Sequence, residues 1–139
     1  MSPIVSIVIP SLNTRGLLGD CLGSLVEQTV WAKCEAIVVD MSSTDGTVEM
    51  VAARFPQVQV LTDAPNRGYG AACNAGAACA EGEWLLVLNS DVELPEADTL
   101  DTLLGHAGSW PAPHANAGSA GTNIVMTLWI TSHERAHTA

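Results

Sequence analysis

Apolar positions along this chain come in short dense runs separated by stretches with helical spacing. "IVSIVIP" at 4–10 is a β-branched run that ends at Pro10 and predicts a first buried strand. Between Leu17 and Val26, the residues Leu17, Leu18, Cys21, Leu22, Leu25 and Val26 recur at spacings of one, three and four, which aligns them on one helix face. "EAIVVD" at 35–40 reads as a second buried strand that ends in a carboxylate. The "SSTDGT" after it is a loop whose Ser, Thr and Asp can cap a helix continuing through Val48, Val51 and Phe55. "VQVLT" makes a third strand, "NRGYGAACNAGAACA" a small-residue helix behind a glycine loop, and "EWLLVLN" a fourth strand. Four strands thus alternate with three helices. That order predicts an α/β fold with a parallel-sheet core, helices on both faces and right-handed crossovers.

Composition narrows the picture. The 139 residues fit one domain, and 47% hydrophobic content is ample for a core. With only 4% aromatic residues, that core must be built from Val, Ile, Leu and Ala, as is usual in α/β packing. The formal charge of −10, from 15 acidic against 5 basic residues, leaves no cationic surface to neutralise nucleic-acid phosphates, so DNA and RNA are excluded as expected partners. Binding a phosphorylated small molecule then requires a divalent cation, a helix N-terminus or a well-placed arginine.

Cys21, Cys34, Cys73 and Cys79 lack the spacing of a zinc or redox site and read as buried free thiols. No basic segment precedes the first apolar run, and Pro10 follows it too soon for a signal peptide. Every apolar stretch is shorter than the ~20 residues that cross a bilayer. The expectation is a cytoplasmic chain without a transmembrane segment, with membrane association through a partner left open. His106, His114, His133 and His137 show no ligand-like clustering and read as solvated.

In an open α/β sheet the ligand crevice lies beyond the carboxyl ends of the strands. Strand one delivers Pro10, Ser11, Leu12 and Asn13 there, strand two Asp40, and strand four Asn89, Ser90 and Asp91. If these strands are neighbours around a switch point, two carboxylates and several hydroxyl or amide groups face one cleft. Such an inventory suits a nucleotide with a hard cation. Each piece also has a plainer reading. Asp40 can cap the next helix, and "NSD" can serve the same purpose ahead of "LPEADTL", where Pro95, Glu96 and Asp98 suit a helix start. "GYGAAC" at 68–73 follows Asn66 and Arg67 rather than a strand, which argues against a dinucleotide fingerprint. Gly68 and Gly70 are instead expected to permit close backbone approach or positive φ at a helix start, with Arg67 beside them able to meet a phosphate.

Five ordered segments, "VSIVIPSLN", "CLGSLVEQT", "AIVVDMSSTDGT", "NRGYGAACNAG" and "GEWLLVLNSD", resemble the N-terminal, nucleotide-sugar-binding half of a family 2 glycosyltransferase with the GT-A fold, over about residues 4 to 104. Met41 departs from the polar residue usual after the strand-two Asp, and Asn89 from the Asp that more often opens the metal motif. The resemblance implies a donor-nucleotide pocket involving Pro10, Ser11, Asn13 and Ser42, with Asp40 on the base or ribose and Arg67 near the diphosphate. Asn89, Ser90 and Asp91 would form the Asp-x-Asp-type motif, in which Asp91 binds Mg²⁺ or Mn²⁺ bridging the donor phosphates. The implied reaction is transfer of a sugar from a UDP-, GDP- or dTDP-sugar to a saccharide or lipid acceptor, metal-assisted and inverting. "NRGYGAACN" leans toward members that build surface polysaccharides, rhamnosyl transfer among them.

The resemblance divides the chain into a GT-A nucleotide-sugar-binding region at 1–105 and an irregular segment at 106–139. In the latter, "GHAGSWPAPHANAGSAGTN" reads as loop, "IVMTLWI" as one more strand and "TSHERAHTA" as a tail. The family's catalytic base has no counterpart here, since Glu134 is the only acidic residue after Asp101 and its context does not match. These features read as a truncated or frame-altered chain, or an unusual short member. The functional alternative is a half-domain that binds nucleotide-sugar without independent transferase activity.

Overall fold

The computed structural model describes residues 3–62, 66–109 and 123–128. Its elements are β1 (Val5–Ser11), α1 (Arg15–Val26), a 3₁₀ turn (Trp31–Lys33), β2 (Cys34–Asp40), α2 (Thr47–Arg54) and β3 (Gln59–Leu61), then α3 (Tyr69–Cys79), β4 (Trp84–Leu88), α4 (Thr99–Ser109) and β5 (Asn123–Leu128). The alternation read from the apolar pattern is present, with α4 and β5 extending it. β5 falls on the segment "IVMTLWI" expected to form one more strand.

The five strands lie in the order β3-β2-β1-β4-β5, and every pairing is parallel. The chain therefore builds outward from β1 through β2 to β3, then returns to place β4 on the other flank of β1. The topological switch point falls between β1 and β4.

Period-2 alternation sends successive side chains to opposite faces of the sheet. Ile7, Ile9, Val38, Leu86 and Leu88 pack with Leu18, Leu22 and Leu25 of α1, Val51 of α2 and Leu100 of α4. Val8, Ile37, Val39 and Leu85 pack on the other face with Ala72 of α3. Helices cover both faces, so β1 is buried along its whole length and β2 and β4 over most of theirs, and these strands read as nearly continuous apolar runs. On the α3 face the approach is close because Gly76 has no side chain. A Cβ there would lie 2.3 Å from Val8 Cγ1 and 3.1 Å from Val39 Cγ2.

Four sequence expectations need correction. β1 does not end at Pro10 but runs through it to Ser11, with Pro10 paired beside Val39. The N-cap residue of α2 is not a Ser, Thr or Asp but Gly46, at φ 85°; Asp45, one residue earlier, accepts the Thr47 N–H at the start of the helix. α4 starts at Thr99 rather than near Pro95. Among the cysteines only Cys21 is buried; Cys34 and Cys73 are half-buried and Cys79 is exposed, all four being free.

The segment that leads into α4 is fastened to α1. Buried Gln28 donates from Nε2 to the Glu96 carbonyl at 2.7 Å and accepts the Leu100 N–H at Oε1 at 3.0 Å. Ser24 Oγ accepts the Leu94 N–H at 3.0 Å. Among the described residues no helix is long and apolar enough to cross a membrane. His114, His133, His137 and Glu134 lie outside the described residues.

Candidate functional site

The strand order brings the three polar strand ends together. Ser11 is in register with Asp40 on the neighbouring strand, and both are almost fully buried, at 1% and 2% exposure. On the other flank the β1–β4 ladder is paired as far as Val8 and Val87. Two residues further on, Pro10 has no N–H to contribute to a ladder. The ends of β1 and β4 are bridged by side chains instead. Thr14 Oγ1 lies 3.0 Å from Ser11 Oγ and donates to Ser90 Oγ at 3.0 Å.

Asp40 does not cap the next helix, which begins only at Thr47. One oxygen, Oδ2, accepts the Ser43 N–H at 3.0 Å and closes the turn after β2. The other, Oδ1, is buried with no hydrogen-bond partner among the described residues. A buried acceptor without a donor is costly, so this oxygen is suited to an N–H or O–H supplied by a ligand.

Asn89, Ser90 and Asp91 follow β4 directly. Their turn is closed by the Val92 N–H on the Asn89 carbonyl at 3.2 Å, and all three are half-buried. Because α4 begins only at Thr99, Asp91 is far from that helix's cap position. Its charge reaches inward. The Cys21 thiol is pushed up to about 12, first by burial and then by the nearby Asp91 and Glu93 carboxylates. Tyr69, the first residue of α3, is likewise raised to about 12 by burial, then by Cys73, with Asp91 contributing. The first turn of α3 thus stands at the Asp91 side of the crevice. Gly68 caps α3 at φ 95°, fulfilling the expectation of positive φ, whereas a Cβ on Gly70 would meet open space. Arg67 is exposed on the loop just ahead of this cap.

The loops after β1 and β2 are laced to each other. Asn13, at φ 52°, gives its N–H to Ser43 Oγ at 2.9 Å and accepts the Thr44 N–H on Oδ1 at 2.8 Å. Its carboxamide oxygen therefore holds a neighbouring loop. The Ser11 carbonyl accepts the Met41 N–H at 2.9 Å, and Asp45 Oδ2 accepts the Arg15 N–H at 3.0 Å. Ser42 lies on this loop at φ 66°, a conformation that L residues adopt only under surrounding constraint. Met41, apolar where the resemblance led us to expect a polar residue, is buried against Val8, Ile37 and Val39.

Sequence reading missed Thr14, Ser43, Asp45 and Tyr69 as parts of this region. The signal for Thr14 was modest: a hydroxyl immediately after Asn13, in a loop already bearing the candidate residues. Ser43 and Asp45 act through contacts with segments thirty residues away, and Tyr69 is influenced by Asp91 from a different element, none of which spacing alone reveals. A surface depression lined by Pro3, Ile4, Lys33, Cys34, Glu35 and Gln57 lies at the amino ends of β1 and β2, away from the convergence of polar strand ends.

The doubly wound parallel sheet, with buried Ser11 and Asp40 and half-buried Ser90 and Asp91 at its strand ends, defines the class as an open α/β protein. The chain belongs to glycosyl transferase family 2, whose family model matches residues 6–119. Its fold is GT-A-like. It is 36% identical over 110 residues to the PGL/p-HBAD biosynthesis glycosyltransferase of Mycobacterium bovis, covering 77% of this chain and 43% of that protein. It is 33% identical over 106 residues to the glycosyltransferase GlyG of Streptococcus pneumoniae, covering 74% and 35% respectively. A mannosyltransferase from Pyrobaculum calidifontis, solved in complex with GDP-Man and Mn²⁺, superposes with a TM-score of 0.65 at 30% identity, over 75% of this chain and 32% of that one. S. aureus TarS 1-349 in complex with UDP-GlcNAc gives a TM-score of 0.66 at 26% identity, over 78% and 31%. The chain spans less than half the length of these curated relatives and about a third of these solved structures.

Proposed function

We propose that this chain forms the nucleotide-sugar-binding part of a glycosyltransferase that moves a sugar from a nucleoside-diphosphate donor to a saccharide or lipid acceptor. The observation carrying this reading is the partnerless, buried Oδ1 of Asp40 at the end of one strand flanking β1, with Asp91 at the end of the other. Asp40 would accept from the base or ribose, while Pro10, Ser11, Asn13 and Ser42 shape that end of the crevice. Asn13 would act by holding the loop after β2. Arg67 and the Asn89, Ser90 and Asp91 turn would face the diphosphate. Residues 1–105 carry all of these groups.

The donor set suits a hard cation. Among the described residues there is no cluster of three or more His, Cys, Asp or Glu side chains able to form an all-protein cage. One half-exposed carboxylate flanked by hydroxyl and amide oxygens instead matches an ion whose shell is completed by ligand phosphates, as is usual for Mg²⁺. Asp91 would hold Mg²⁺ or Mn²⁺, and the bound cation would supply charge stabilisation for the departing nucleoside diphosphate. The residues of this chain would orient the donor, exclude water from the base end and bring oxygen ligands to the diphosphate. This also meets the electrostatic need set by a net charge of −10.

Inversion at the sugar carbon requires a base to deprotonate the acceptor hydroxyl. The described residues after Asp101 contain no carboxylate, which favours a second reading in which the chain binds donor without turnover. Sustained sugar transfer by the chain alone would eliminate that reading. The rhamnosyl assignment and the role in polysaccharide synthesis rest on the likeness of "NRGYGAACN" alone. The donor base is to be read directly, by calorimetric titration of the chain with UDP, GDP and dTDP, with and without Mn²⁺. Binding that requires Mn²⁺ and disappears in Asp91→Ala is expected; cation-dependent binding unchanged by that substitution would overturn the site.

A further inference from the structure

Threonine at a helix N-cap ordinarily turns its hydroxyl onto the N–H of the second or third helical residue. Thr14 holds the N-cap position of α1 but makes no side-chain cap hydrogen bond. The work falls elsewhere: Asp45 accepts the Arg15 N–H at 3.0 Å, and the Thr14 carbonyl accepts the Leu18 N–H at 2.7 Å. The Thr14 hydroxyl is left to join Ser11 and Ser90, each at 3.0 Å.

A hydroxyl has one proton to donate. Thr14 gives its proton to Ser90, so Ser11 must be the donor in the Ser11–Thr14 contact. Ser90, receiving from Thr14, keeps its own proton for a third group. The chain therefore runs one way, from buried Ser11 at the end of β1 to half-buried Ser90 beside Asp91, and each donation strengthens the next. The β-branch of threonine, stiff at χ1, suits it to the middle of such a chain.

We propose that Thr14 is a positioning residue whose hydroxyl sets the direction of this three-hydroxyl chain, so that Ser90 presents its proton to a phosphate oxygen of the bound nucleoside diphosphate. The inference rests on the donor-site reading above and adds to it the residue that orients Ser90.

The test compares wild type, Thr14→Val, Thr14→Ser, Ser90→Ala and the Thr14→Val/Ser90→Ala double variant. UDP, GDP and dTDP are titrated calorimetrically with Mn²⁺, and the corresponding nucleosides are followed by NMR shift perturbation. Loss of a hydrogen bond to a charged phosphate predicts about tenfold weaker diphosphate binding for Thr14→Val, with nucleoside binding within about twofold of wild type. Thr14→Ser is expected to restore diphosphate affinity. In the Ser90→Ala background, Thr14→Val should have no further effect. Unchanged diphosphate affinity in Thr14→Val would overturn the inference, as would equal weakening of nucleoside and diphosphate, which marks a merely structural role. Wild-type protein that binds no diphosphate with Mn²⁺ would overturn the donor-site reading itself, and this inference with it.

Discussion

Asp45 accepts the backbone N–H of Arg15 at 3.0 Å across thirty residues of sequence. Its other oxygen takes the N–H of Thr47 at 3.1 Å and also the Thr47 hydroxyl. One carboxylate thus satisfies the first N–H of both α1 and α2, where helix dipoles favour negative charge. These bonds, the Thr47 hydroxyl first and the Arg15 N–H next, hold the Asp45 carboxyl below its ordinary value of 3.8.

A depressed carboxyl pKa stabilises the fold above the unfolded-state value, and the contribution is lost as pH falls through the folded-state value. Asp45→Asn is therefore expected to lower Tm at neutral pH. The gap from wild type should persist down to 3.8 and close in more acidic solution. Thermal melts of both proteins across that range provide the check, and a gap that does not vary with pH would contradict the assignment.

Asp40→Asn separates binding from folding. The oxygen facing Ser43 can be kept, while the buried Oδ1 position becomes an amide that donates rather than accepts. An unpaired buried donor replaces an unpaired buried acceptor, so Tm should change little. Nucleotide affinity should fall by about 1.5–3 kcal/mol, the range for a lost bond to a charged group. Calorimetry and melting on the same preparations measure both, and a drop in Tm with affinity intact would reverse the conclusion.

Gly76→Ala places a Cβ 2.3 Å from Val8 Cγ1, within the interface between α3 and the sheet. Overpacking of this kind costs about 1–3 kcal/mol. Denaturant unfolding should show the loss in full with Val8 present and a smaller loss in a Val8→Ala background, because the two residues compete for one volume. Equal losses in both backgrounds would show that the clash is relieved elsewhere.

The cysteines should separate by reactivity, since the thiolate is the nucleophile. Cys21 is pushed up to about 12 by burial together with Asp91 and Glu93, and Cys34 to about 11 by burial. Cys79 is exposed. Iodoacetamide at mildly alkaline pH, followed by peptide mass analysis, should modify Cys79 in the folded protein and Cys21 only after denaturation. Rapid folded-state modification of Cys21 would show that the α1 face opens.

Much of the architecture was legible because local patterns carry it. Buried parallel strands need unbroken runs such as "SIVIP" and "AIVVD", and α1 needs its apolar residues on one stripe; both periods are visible without a structure. The strand ends bearing Ser11, Asp40 and Asp91 were legible for the same reason, since they are where an apolar run meets polar residues. Local pattern misled where caps were concerned. "SSTDGT" offers several capping side chains, yet the chain uses Gly46 and turns Asp45 toward two helices at once. The continuation of β1 through Pro10 was hidden as well. A proline ordinarily ends a strand, and here neighbouring β2 keeps it in register beside Val39.

By itself, then, the amino-acid sequence determined the alternation of strands and helices, the apolar make-up of the core, the acidic charge and the polar residues that close each strand. Tertiary structure alone decided that β1 lies between β2 and β4, that Asp40 keeps one oxygen without a partner, and that Thr14 turns from its helix to join Ser11 to Ser90. The physical reason is range. Periodicity and strand punctuation arise between residues a few positions apart. Strand order, burial of a single oxygen and the direction of a hydroxyl depend on segments separated by thirty to seventy-six residues, which meet only when the sheet assembles.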